Sequence, residues 1–73
     1  MGIIRWMCAE GDTQVVWDEA DTASLDRARE MVERAFAEGR GVFAIDEDGV
    51  GVRLRQFDPA VREIVVIPRV QGG

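Results

Sequence analysis

Few residues in this 73-residue chain have side chains able to make or break bonds. Cys8 is the single cysteine and histidine is absent, which removes an internal disulfide and most routes to a zinc or copper centre or to nucleophile–base catalysis. Cys8 lies in an apolar stretch and reads as a small buried residue rather than a reactive thiol. The acidic run Asp46-Glu47-Asp48 lacks the loop length and distal glutamate of an EF-hand and reads as a solvated turn. No glycine-rich phosphate loop occurs. What remains is the stretch Ile64-Val65-Val66-Ile67-Pro68-Arg69-Val70-Gln71-Gly72-Gly73, an apolar strand leading into a polar tail that ends on two glycines. A carboxylate on Gly73 would sit on a backbone with no side chain to shield it, a group for another protein to work on.

The rest of the chain must hold that tail. Its length allows one domain with a small core, about one sheet against one helix. An apolar content of 47% with 32% charged residues suits a globular domain rather than a disordered one. No apolar run reaches the roughly 20 residues of a membrane helix, and no signal-peptide pattern opens the sequence, which predicts a cytoplasmic protein. A net charge of −5 disfavours nucleic acid and favours a partner with a basic surface. All nine basic residues are arginine, a skew expected of a GC-rich genome, and one that also leaves no side-chain amine to modify.

Residues 3–9 alternate Ile4, Trp6 and Cys8 against Ile3, Arg5 and Met7, as a strand does. The Glu10-Gly11-Asp12 turn and a second strand over residues 13–18 complete a hairpin, across which Trp6 and Trp17 are placed to meet, on the same face or diagonally, with core packing as their expected role. Capping residues at 18–22 and the stripe Leu25, Ala28, Met31, Val32, Ala35, Phe36 predict a helix from about residue 22 to 38, with Gly39 as its left-handed C-cap. On its polar face, Arg29–Glu33 and Glu30–Arg34 have ion-pair spacing. Strands follow over residues 41–46 and 50–57, joined by the Asp48-Gly49 turn, with Val50, Val52 and Leu54 inward and Arg53 and Arg55 outward. Ile64 to Ile67 shows no alternation, which marks a strand central in its sheet or covered on both faces, and Pro68 ends it.

Element order ββαβββ with the last strand most apolar predicts an α+β fold, a mixed sheet with that strand in the middle beside the first and parallel to it, and one helix across a face. This is the β-grasp (ubiquitin-like) arrangement, with residues 1–68 as the domain and 69–73 as a flexible tail. An edge position for the last strand would leave its apolar run half exposed. The tail from Ile67 to Gly73 resembles the carboxyl end of the sulfur-carrier proteins, the small subunit of molybdopterin synthase and its thiamine-pathway relative. It departs from their pattern at Arg69 and Gln71, and a basic residue shortly before Gly-Gly is similar to ubiquitin.

That resemblance implies a carrier or modifier that is not itself an enzyme. An activating enzyme would use ATP to adenylate the Gly73 carboxylate, and the acyl group would pass to sulfur and then on as a thiocarboxylate or as a conjugate on a target lysine. Gly72 would give clearance in a narrow channel, and Arg69, Val70 and Gln71 would be recognised by the partner. The chain would bind no cofactor or metal, and its partners would be the activating enzyme and an acceptor protein or sulfur-accepting enzyme. The exposed sheet face with Arg53, Arg55 and Phe57 is a further candidate partner surface. Two alternatives stand beside this: a β-grasp structural or assembly module, for example of a bacteriophage particle, with the tail incidental, and an accessory subunit whose tail enters an enzyme's active site.

Overall fold

A computed structural model describes residues 1–8 and 11–69. The elements in chain order are β1 (Gly2–Cys8), β2 (Gly11–Trp17), α1 (Thr22–Ala37), β3 (Gly41–Ile45), β4 (Gly51–Arg53) and β5 (Glu63–Ile67). They form a small α+β domain with α1 packed on one five-stranded mixed sheet of order β2-β1-β5-β3-β4. β5 runs parallel to β1 and antiparallel to β3, and both hairpins are antiparallel. The apolar run at 64–67 therefore does occupy the centre of the sheet.

Register sorts the side chains into two faces, because directly paired residues point the same way. Ile4, Trp6, Val15, Trp17, Val42, Ala44, Ile64 and Val66 face α1, whose Ala28, Val32 and Ala35 are buried against them. Leu25, Met31 and Phe36 flank that contact as half-buried partners. The other face carries Ile3, Arg5, Val16, Phe43, Val65 and Ile67 and has no covering layer among the described residues. β5 is thus fully covered on one face only: Ile64 and Val66 are buried, Val65 and Ile67 half-buried.

The helix ends are set by local chemistry. The Asp21 carboxylate accepts from the amides of Ala23 (3.1 Å) and Ser24 (3.4 Å). At the other end Gly39 takes φ +74°, its amide bonds to Phe36 and the Arg40 amide to Ala35, a Schellman cap. The ion pairs on the polar face differ from those the spacing predicts: Arg29 meets Asp26 and Arg34 meets Glu38.

The fourth strand is shorter than the sequence predicts. Leu54 still donates to the Val42 carbonyl and tucks under the helix side, but the chain then leaves the sheet. It must, because β5 can run parallel to β1 only if residues 54–62 carry the chain back to the end of the sheet where β1 starts. Phe57 anchors this return edge-on against Trp17 (centroids 5.4 Å, interplanar 69°), and the Trp17 indole N–H reaches the Pro59 carbonyl at 3.4 Å. Val52 does point to the helix side, but the helix does not reach it, so it and Val50 are exposed rather than inward. Cys8 is half-buried, with its thiol donating to the Gly11 carbonyl.

Trp6 and Trp17 share a face without meeting, since Trp6 pairs with Thr13 and Trp17 with Gly2. Trp17 is wholly buried and lies flat over Gly2, where an added Cβ would stand 2.0 Å from Cζ2 of the indole. Gly2→Ala is therefore expected to destabilise the fold by about 1–3 kcal/mol through overpacking, lowering Tm by roughly 4–8 °C per kcal/mol in a domain of this size. Thermal unfolding followed by circular dichroism checks it, and an unchanged Tm would mean that Trp17 does not rest on Gly2.

Candidate functional site

Because β1 and β5 are parallel, the ends of both strands, the C-terminus of α1 and the start of β3 gather at one pole of the sheet. This is where the chain leaves β5 through Pro68 and Arg69. The side chains collected there are mostly cationic. Arg40 lies over the Trp6 ring, 4.6 Å from its centroid, with Arg34 more distant at 6.0 Å. A guanidinium stacked at the shorter distance is worth about 0.5–1 kcal/mol near the surface. Glu38 joins the two arginines, accepting from Arg40 Nε at 2.7 Å and Arg34 Nε at 2.9 Å. Arg69 passes close by: a Cβ added at Gly39 would lie 3.9 Å from its Nε. Gly39 thus combines the left-handed backbone of the cap with a smooth surface beside the root of the tail.

On the β4 side of this pole, Arg40 and Phe36 face Arg53, Leu54 and Arg55 across an open notch of about 390 Å³. Arg53 and Arg55 have no carboxylate partner among the described residues. Guanidinium groups stay charged at any accessible pH and offer only donors, so this surface can bind and orient an anionic group but cannot relay protons.

Of the site residues expected from the sequence, Gly72, Gly73, Val70 and Gln71 lie outside the described residues. Arg69 stands exposed at the pole. Arg53 and Arg55 come together with Arg40, whereas Phe57 is drawn away against Trp17 and does not join them. Sequence reasoning missed the Trp6–Arg40–Glu38 cluster. The four-residue spacing of Arg34 and Glu38 was legible, but the approach of Trp6 follows from the pairing of β1 with β5, which no local pattern announces. Nor does the net charge describe the surface. Arg34, Arg40, Arg53, Arg55 and Arg69 lie toward the tail pole together with Glu38 and Asp12, while Asp18, Glu19 and Asp21 before the helix, and Asp46 to Asp48 in the β3–β4 turn, lie at the opposite end with Arg62.

The hydrogen bond from Arg40, then that from Arg34, hold the Glu38 carboxyl below its ordinary range against the opposing effect of desolvation, with the charges of both arginines adding less. For a lowered carboxyl the stabilisation is complete above the unfolded-state value and is lost as pH falls through the folded one. The cluster is therefore intact at neutral pH and opens only in acid, below the pH at which an ordinary glutamate takes up its proton. A carbon-13 titration of the side-chain carboxyls should find Glu38 protonating below the exposed glutamates. Arg40→Ala should move it back toward them by more than Arg34→Ala does; an equal or reversed effect would reject Arg40 as the main partner.

Compared with known protein families, with curated proteins and with solved structures, the chain matches none.

Proposed function

We propose that this chain is a non-catalytic carrier or modifier of the ubiquitin-like and sulfur-carrier kind, a β-grasp domain that presents its tail to other proteins. The Gly73 carboxylate attacks ATP in a partner activating enzyme, pyrophosphate leaves, and a sulfur nucleophile displaces AMP from the acyl-adenylate. The product is a thiocarboxylate or a thioester that ends as a conjugate. The observation that carries this reading is the strand order β2-β1-β5-β3-β4 with β5 parallel to β1, which sends Pro68 and Arg69 out of the centre of the sheet. The cationic pole supports it by offering the partner a charged footing beside the tail root. ATP belongs to the activating enzyme, and the setting proposed is the cytoplasm.

The uncovered sheet face favours a second reading. Ile3, Phe43, Val65 and Ile67 are only half-buried there and Val16 is 53% exposed, a surface that an assembly module would bury against a larger particle.

Intact mass measurement of the protein from its native host, with the C-terminal peptide sequenced, decides between them. One oxygen replaced by sulfur at Gly73, or Gly73 joined to a lysine of another protein, is the expected result, and a Gly73→Ala variant should lose it. An unmodified carboxylate on all the material, a chain that continues past Gly73, or fixed-ratio recovery with a particle would reject the carrier reading.

A further inference from the structure

The β4 edge of the sheet is self-complementary. In the β3–β4 hairpin the Asp46 amide bonds to the Val50 carbonyl and the Leu54 amide to the Val42 carbonyl. Bonding alternates along an antiparallel pair, so the backbone groups of Gly51 and Arg53 point off the open edge, unpaired with β3. Val52 lies between them and is 58% exposed, with Val50 beside it at 56%. One end of the edge is the acidic Asp46-Glu47-Asp48 turn, the other is Arg53 and Arg55. Neither Glu47 and Asp48 nor Arg53 and Arg55 have an ion-pair partner among the described residues. Alongside Val52 an open groove of about 490 Å³, floored by Ala44 and Val61, leaves further apolar surface bare.

We propose that β4 pairs antiparallel with β4 of a second copy of this chain, about a two-fold axis at Val52, to make one continuous sheet. Gly51 of each copy exchanges backbone hydrogen bonds with Arg53 of the other, and the two Val52 side chains meet at the axis. The same symmetry sets the acidic turn of each copy alongside Arg55 of the other, so both charged ends are satisfied at once. The absent side chain at Gly51 allows the close approach, and the short strand limits the pairing to one molecule. A partner edge of uniform charge would satisfy only one end; this chain's own edge satisfies both. The inference does not depend on the fate of Gly73.

Sedimentation velocity of the full chain over a concentration series tests it. The expected result is a monomer–dimer equilibrium that weakens as salt is raised. Arg55→Glu should raise the dimer dissociation constant by roughly tenfold, because symmetry counts each change twice. The variant Glu47→Arg with Asp48→Arg should do the same, and an equimolar mixture of the two variants should recover a heterodimer. These positions are exposed, so at concentrations low enough to keep every protein monomeric each variant is expected to keep the wild-type thermal unfolding curve. A wild type that stays monomeric at every concentration, a dimer indifferent to Arg55→Glu, or variants that fail to pair with each other would overturn the proposal.

Discussion

The structure depends on β5 entering between β1 and β3. Without it the chain holds two separate hairpins, β1–β2 and β3–β4, and a two-stranded hairpin is marginal in water. Ile64 and Val66 join them: Ile64 pairs with Ile4 on one side and Ala44 on the other, Val66 with Trp6 and Val42. The loop closed by the β1–β5 contact spans nearly the whole chain, so its entropy cost is met only when the apolar layer beneath α1 forms at the same time. That requirement explains why the least alternating segment is the last strand. A central strand has neighbours on both sides and gains from apolar residues at every position, even when, as here, one face is only half covered.

A single helix then limits what can be buried. Five strands at about 4.8 Å spacing span about 19 Å, and a helix with its side chains is about 10–12 Å across. α1 lies over the sheet and buries Trp17, Ile4, Val42, Ile64 and Val66, but the corner at Val52 and the whole opposite face stay accessible. Surface that a larger protein would cover with a second layer is left here as valines on an edge and a half-exposed apolar face. In so small a domain this residue of uncovered surface is a geometric consequence of the fold, and it is where contacts with other chains are cheapest to form.

Much of this was legible in the sequence because it is local. Asp21, the apolar stripe from Leu25 to Phe36 and Gly39 fix the helix through its own hydrogen bonds and periodicity, and the structure agrees with them. The central place of residues 64–67 was legible from their lack of alternation together with the cost of leaving that apolar run on an edge. The failures are non-local. The sequence pattern gives the parity of Val52 but cannot say that the helix stops short of it. It lets Val50 to Phe57 read as one strand, although the topology requires the chain to turn back after Leu54. Arg34 has two glutamates four residues away, Glu30 and Glu38, and periodicity does not choose between them. Arg40 does: it approaches Glu38 from beyond the helix end, and the carboxylate sits where it can accept from both guanidinium groups.

The same topology separates the charges. A helix carries partial positive charge at its N-terminus and partial negative charge at its C-terminus. Asp18, Glu19 and Asp21 stand at the first end, Arg34 and Arg40 at the second, so each group of side chains complements its end of the helix. β3 runs away from the arginine end, so its turn to β4, with Asp46 to Asp48, falls at the acidic end, and the return of β4 brings Arg53 and Arg55 back to the basic one. A chain of net charge −5 therefore presents a cationic surface where β5 ends. Association with a charged partner responds both to the net charge and to its distribution over the surface. The arginines beside Pro68 and Arg69 offer an acidic patch of a partner charge-assisted contacts, and the carboxylates at the other pole offer the same to a basic patch.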